Sequence, residues 1–295
     1  MKVLLTDLDA EKRRKPFPNL ALMKLSAYHK QKGDDVYLNF PLCDPDITYA
    51  SCVFTWHKPQ SQNPAIEYGG SGINFDVLLP PEIEHKMPDY SLYPDLYFSM
   101  GFTSRGCCNK CSFCLVPLKE GGIRANASVR EFYNPALKRL ILLDNNILAS
   151  ENCDETFDEL IELQVETDIN QGMDIRLLND RNVWQLKKIK TKVLRFAFDN
   201  MAYESQARQG LKLLLGTGIS PRKFAFYVLV GFRQNDEAIE RIKLLQSYGV
   251  DVYPMIYKDA SGKEPDVHYD FKETIQFHGA RGNLRKFLRI TGRLE

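Results

Sequence analysis

Three cysteines crowd into one short stretch: Cys107, Cys111 and Cys114, in a run that reads Gly-Phe-Thr-Ser-Arg-Gly-Cys-Cys-Asn-Lys-Cys-Ser-Phe-Cys-Leu-Val-Pro over residues 101–117. Thiolates are soft ligands, suited to zinc and to iron–sulfur clusters. Three of them from one loop can hold three irons of a [4Fe–4S] cube, leaving the fourth iron without a protein ligand. An open position implies chemistry, as it does at a catalytic zinc, whereas a cluster that only passes electrons is normally closed by four cysteines. The competing reading is a structural zinc knot. Zinc wants a fourth ligand, however, and Cys108 adjoins Cys107 too closely to reach the same metal easily, while no histidine follows at finger-like spacing.

The remaining cysteines, Cys43, Cys52 and Cys153, sit among apolar or helix-forming neighbours and read as reduced, partly buried small hydrophobes. Seven cysteines, an odd number, do not read as a secreted disulfide framework. The opening Met-Lys-Val-Leu-Leu-Thr-Asp reads as a strand rather than a cleavable leader, and no apolar run approaches the ~20 residues of a membrane span. A reducing cytoplasm with no membrane partner is therefore expected. Lys plus Arg (39) nearly cancel Asp plus Glu (38), a balance that disfavours a nucleic-acid partner, because phosphate neutralisation supplies most of such affinity. The basic stretch 281–293 reads instead as an amphipathic helix with Leu284, Phe287 and Leu288 on one side.

At 295 residues and 44% hydrophobic content the chain can bury one large core or two modest ones. Strands are expected at 3–6, 36–40 and 52–56, with a helix over 18–33 that stops at Gly33; this is a small open α/β unit of the doubly wound, Rossmann-like kind. A Tyr- and Pro-rich linker, 80–94, follows. Further strands are predicted at 96–103, 139–143, 168–174, 193–198, 224–231 and 250–257, with helical periodicity between them, as at 156–163 and 237–249. Six such units make a partial (β/α)6 barrel, and the chain divides into a Rossmann-like domain and linker (1–94), a barrel (95–260) and a basic helical extension (261–295).

Function on such a scaffold belongs at the C-terminal strand ends. Asp144 and Asn145 close the second barrel strand, Gln171, Asp174 and Arg176 the third, and Asp199 the fourth. Each is equally suited to capping the helix that follows, since Asp and Asn lead at N-caps. His57, His85 and His268 are lone histidines with no ligand pattern.

The Cys-x-x-x-Cys-x-x-Cys spacing, with Phe113 before the last cysteine and Arg105-Gly106 before the first, resembles the signature loop of radical S-adenosylmethionine (SAM) enzymes. The resemblance implies a partial barrel of that type, a [4Fe–4S] cluster on the three cysteines, and SAM on its open iron. It also implies an electron from flavodoxin or ferredoxin and a 5′-deoxyadenosyl radical that takes hydrogen from a substrate. By the same likeness Asp144 and Asn145 would contact the SAM amino group, Arg176 its carboxylate, and Gln171, Asp174 and Asp199 the rest of the cofactor, with 228–231 packing against adenine.

The first domain resembles a cobalamin-binding domain, with Gly69-Gly70-Ser71-Gly72 in place of its later glycine loop. The region after the first strand, Thr6-Asp-Leu-Asp-Ala-Glu-Lys12, lacks the His and Gly of the ligating motif, so no cobalamin is expected. Without a basic β domain or a second cysteine-rich cluster, the chain calls for a small-molecule substrate. In size and plan it is similar to radical SAM lyases that cut a carbon–nitrogen bond of a modified 7-deazaguanine base, for which Tyr90, Tyr93, Tyr97, Phe102 and Trp56 are candidate aromatic faces. The alternatives are a radical SAM enzyme that modifies a nucleic acid or another metabolite in the manner of a methyltransferase, and a non-catalytic iron–sulfur or zinc module.

Overall fold

Val3, Leu5 and Asp7 are buried while the residues between them are less so, the two-residue period of a half-covered strand, β1 (Lys2–Asp7). The computed structural model describes residues 1–10, 17–40, 42, 44–232, 235–259 and 261–263. After β1 comes α1 (Leu20–Gln31), whose first turn is capped by Asn19, its side chain accepting from the Leu22 amide at 3.3 Å. β2 (Asp35–Leu38), β3 (Ile47–Ser51) and β4 (Ile66–Gly69) complete a parallel sheet in the order β2-β1-β3-β4. The direction of winding reverses between β1 and β3, so their carboxyl ends flank a switch-point crevice.

Here the sequence reading needs correction. The third strand lies at Ile47–Ser51 rather than 52–56, and β4 was not anticipated. Pairing decides it: Val3 to Asp7 are matched one for one by Ile47 to Ser51, so the apolar Cys-Val-Phe-Thr-Trp run falls beyond the end of β1 and turns instead, with Thr55–His57 a single tight helical turn.

Past the short helix α2 (Pro81–Glu84), the chain runs through β5 (Phe98–Gly101), β6 (Ser104–Arg105), α3 (Val116–Lys119), β7 (Arg124–Ala125), β8 (Arg139–Leu142), α4 (Cys153–Leu163), β9 (Glu166–Ile169), β10 (Met173–Asp174), α5 (Asp180–Lys188), β11 (Leu194–Ala197), α6 (Glu204–Gly216), β12 (Phe224–Val230), α7 (Asn235–Ser247) and β13 (Asp251–Ile256). Two parallel sheets result, β5-β8-β9 and β10-β11-β12-β13, both in chain order; β6 and β7 pair antiparallel as a ribbon around the cysteine loop. The protein is thus a mixed α/β fold built on parallel sheets. The expected third strand of this series is broken in two at residues 170–172, its first part pairing with β8 and its second with β11. Gly172 lies close to its neighbours at this break: a Cβ there would lie 3.0 Å from the Tyr227 ring and 3.2 Å from Ala197 Cβ, so the missing side chain makes room for the adjacent strands.

Alternation assigns the faces. Leu140, Leu142, Ile169, Phe196, Phe226 and Val228 point toward the helices and join Phe157, Leu160, Leu186, Leu211 and Leu245 in the main core. On the opposite face Arg139 and Arg195 both hold Asp168, with Tyr227 and Tyr253 beside each other at 6.2 Å. A second apolar cluster, Met23, Tyr90, Phe98, Met100 and Ile141, fastens α1 to β5 and β8. The basic segment 281–293, Cys43 and His268 lie outside the described residues.

Gly210 in α6 packs directly on the turn after β10: a Cβ at this position would sit 2.5 Å from Ile175 Cγ1 and 2.6 Å from its carbonyl oxygen. Gly210→Ala should gain up to ~1 kcal/mol of helix propensity but lose roughly 1–3 kcal/mol to overpacking against backbone that cannot swing aside. A net loss of stability in urea unfolding is the expected outcome; a gain would show that the α6 contact yields.

Candidate functional site

The cysteine loop hangs from a stem that one buried carboxylate holds shut. Asp144, 1% exposed at the end of β8, accepts from the Thr103 amide (3.2 Å) and hydroxyl (2.7 Å) and from the Ser104 amide (2.5 Å) and hydroxyl (2.6 Å). Burial pushes its pKa up, and the four donors pull against that. The Asp144 oxygens are thus engaged by the loop's own Thr103 and Ser104 donors. Asn145 likewise donates to Glu120 Oε2 at 2.9 Å.

Glu120 closes the other side of the loop. Its Oε2 also accepts from the Gly106 amide at 3.0 Å, so the segment before Cys107 and the segment after Cys114 meet on one carboxylate. Gly106 has φ +80, and a Cβ there would collide with the Gly122 carbonyl; only glycine fits this crossing.

At the strand ends opposite the loop stand Asn146, Asp174, Arg176 and Asp199, and Asn109 reaches them from the loop itself. Arg176 grips Asp174 through Nε (2.8 Å) and Nη2 (2.6 Å), while Asn109 from the loop donates to Asp174 at 2.9 Å and accepts from Arg176 at 2.9 Å. The guanidinium lies 4.4 Å from the centre of the Tyr203 ring. Burial opposes ionisation of Asp174, but the bonds from Arg176 and Asn109 outweigh it and hold its pKa below the usual carboxylate range. Stability from this contact is accordingly present above the ordinary carboxylate pKa and is lost as pH falls through the depressed one.

Asp199 accepts from the Leu229 amide at 2.7 Å with Arg241 at 3.8 Å, and its pKa is raised, chiefly by burial. Arg241 itself is buried and donates to the carbonyls of Phe198 (2.9 Å) and Leu229 (3.1 Å), pinning the ends of β11 and β12 together. Gln171 is exposed at the strand break.

The thiols feel one another and these acids. Burial and then Cys114 and Cys107 raise the pKa of Cys111; burial raises that of Cys114, with Cys107 and Asp199 adding to it; burial, Cys107 and Asp174 raise that of Cys108. The Asn146 amide lies 3.8 Å from Cys107 Sγ and 3.7 Å from Cys108 Sγ, and the Asn109 amide N–H points at Cys107 Sγ at 3.4 Å. Phe113 packs edge-on to Phe232 at 5.5 Å, which in turn meets Tyr257 at 4.9 Å. Among the described residues, no three His, Cys, Asp or Glu side chains converge to enclose a single ion. A cube would place each thiolate on a different iron, so its donors would surround the cluster rather than meet at a point; soft thiols with N–H donors near sulfur are a donor set that fits such a group.

The aromatic candidates divide. Tyr90 and Tyr93 are spent inside, Tyr90 on the Phe132 carbonyl and Tyr93 on Asp7 at 3.0 Å; Phe102 carries the Arg105 guanidinium on its ring at 3.7 Å; Tyr97 and Trp56 are exposed, Trp56 facing Gly262. His57 is not alone, since its Nδ1 lies 2.6 Å from Asp9 Oδ1; His85 pairs with Glu131 at 3.0 Å. Sequence reasoning passed over Glu120, Asn109 and Asn146 as site residues. Asn146 stood in plain view beside two residues that were chosen, whereas nothing in the pattern marks Glu120. No protein-family description matches the chain, and no curated protein is detectably similar to it.

Because removing Asp144 strands four buried donors, Asp144→Ala should cost on the order of 2–4 kcal/mol of folding stability. Urea unfolding checks this, and a loss below about 0.5 kcal/mol would mean the stem stands without its carboxylate.

Proposed function

We propose that this chain is a radical SAM enzyme that abstracts hydrogen from a small-molecule substrate. One observation carries the reading: three cysteines with the Cys-x-x-x-Cys-x-x-Cys spacing lie on a tightly closed loop against the C-terminal ends of parallel strands, where Asp174, Arg176 and Asp199 gather. Two parallel sheets, β5-β8-β9 and β10-β11-β12-β13, each in chain order, support a partial barrel of that family's kind. When bound, a [4Fe–4S] cluster on Cys107, Cys111 and Cys114 together with SAM supplies a 5′-deoxyadenosyl radical on receipt of an electron from flavodoxin or ferredoxin. The chain's part is to hold and to shield. Arg176 is the donor for a ligand carboxylate, sharing its guanidinium with Asp174, and Phe113, Phe232 and Tyr257 keep water from the loop's flank. Asp199, beside Cys111 and Cys114, suits donors of the cofactor such as hydroxyl or amino groups.

Within the class, we read the chain as similar in size and plan to queuine lyase, a cytoplasmic C–N lyase acting on a 7-deazaguanine base. The reading includes no cobalamin. In the first sheet's crevice Asp7 holds Tyr93 and Asp9 holds His57 and the Val53 amide, so side chains of this chain occupy the positions flanking the switch point. The second reading, a non-catalytic iron–sulfur or zinc module, rests on the same thiols.

Incubation of anaerobically reconstituted protein with SAM and dithionite separates the two: 5′-deoxyadenosine forms only from a radical SAM enzyme, and it should rise when the matching deazapurine base is added. Cys107→Ala, Cys111→Ala and Cys114→Ala should each abolish cluster and product, while Cys108→Ala retains both; full iron and sulfide in Cys111→Ala would defeat the assignment. Protein expressed with hydroxocobalamin should purify without a corrin absorption band.

A further inference from the structure

Four charges of alternating sign run from the first sheet's helix to the cysteine loop. Lys24 on α1 lies 2.9 Å from Glu84 Oε1 on α2; Arg105 Nη2 lies 2.8 Å from the same oxygen; Arg105 Nη1 lies 3.4 Å from Glu120 Oε1. Their side chains are 8%, 18%, 18% and 6% exposed, from Lys24 through Glu84 and Arg105 to Glu120. So sheltered, charges interact more strongly than surface pairs and are screened less by salt. Arg105 stands two residues before Cys107, its guanidinium laid on the Phe102 ring, and Glu120 joins both ends of the loop through Gly106 and Asn145. The row therefore begins on the first sheet's helix and ends on the element that carries Cys107, Cys111 and Cys114.

We propose that Lys24 and Glu84 are positioning residues for the cluster site, fixing through Arg105 how much positive charge the cysteine loop receives. This rests on the reading of that loop as a cluster ligand. Arg105 is flanked by two carboxylates, so its charge is largely cancelled; Glu84 is in turn partly cancelled by Lys24. Burial works against ionisation of Glu84, but Arg105 and Lys24 outweigh it and keep its pKa below the ordinary value. Reduction adds negative charge to a cluster, and a more positive surrounding favours the reduced form, so each member of the row has a defined sign of effect.

Two substitutions in the full chain then act in opposite directions. Glu84→Gln keeps shape and removes the neutralising carboxylate, so the midpoint potential of the reconstituted cluster should move upward. Lys24→Met keeps the unbranched stem and leaves Glu84 less neutralised, so the potential should move downward. Iron and sulfide per chain should equal those of the unaltered protein in both, with the electron paramagnetic resonance signal of the reduced cluster shifted. A merely structural contact would not give opposite shifts. Potentials that stay put, or that move the same way in both variants, overturn the proposal. If Lys24→Met does not fold, Glu84→Gln decides alone, an unmoved potential counting against it. Unaltered protein that takes up no iron and sulfide overturns the cluster reading itself, an outcome plainly different from a normal cluster that ignores both substitutions.

Discussion

A carboxylate taken out of water must recover its solvation from the protein, and Asp144 does so from Thr103 and Ser104. Much of the site follows from that single constraint. The four donors belong to two consecutive residues between β5 and the cysteines, so satisfying Asp144 fixes where the chain leaves the sheet. Once the departure point is fixed, Gly106 can cross under the Gly122 carbonyl and Glu120 can tie the loop's two ends. Were Asp144 apolar, the Thr103 and Ser104 amides would need other acceptors, and the loop's origin would rest on the β6–β7 pairing and the bonds to the Thr103 carbonyl.

The two faces of the parallel strands divide the labour. Toward the helices, Phe196, Phe226, Leu140 and Ile169 make a dry core in which shape decides the packing. On the other face, Arg139 and Arg195 share Asp168, beside the apolar cluster of Phe98, Met100 and Ile141. Such a charged layer adds little net stability relative to well-packed apolar residues, but removing one partner leaves an unbalanced buried charge. The strand ends continue this polar face upward, through Asp174 and Arg176 to Asn109 in the loop, so the cysteines lie at the end of a polar, not an apolar, surface.

Much of this was legible in the chain itself. Strands at 96–103, 139–143, 193–198, 224–231 and 250–257 were expected and the structure has strands in each, because buried parallel strands are short apolar runs set apart by helical periodicity. The cysteine loop announced itself by spacing. The strand at 47–51 was missed because Ile-Thr-Tyr-Ala-Ser is no more strand-like than the Cys-Val-Phe-Thr-Trp that follows; which one pairs is settled by the length and register of β1, a non-local fact. The bonds of Asp144 to Thr103 and Ser104 are not legible in the sequence, since an acidic residue at a strand end looks alike there whether it faces a ligand or its own backbone. Glu120 was invisible for a related reason: its partners, Gly106, Arg105 and Asn145, are brought to it only by the fold.

The first sheet shows the same economy of polar groups at its switch point. Asp7 accepts from Tyr93 and from the Asp9 amide, the Tyr93 hydroxyl accepts from the Asn19 amide, and the Asn19 side chain donates to Ser51. Burial pushes the pKa of Asp7 up, and the hydrogen bonds to Tyr93 and the Asp9 amide hold it back. Tyr93 comes from the linker, between the first sheet and β5, so the group that satisfies Asp7 is also the group that fixes where the second set of strands begins. With Lys24 on α1 reaching Glu84 on α2, and Glu84 reaching Arg105, the crevice and the first helix both spend polar groups on contacts to the rest of the chain. The switch point and the first helix of this open α/β sheet are thus committed to contacts with the linker and with the segment that leads into the cysteine loop.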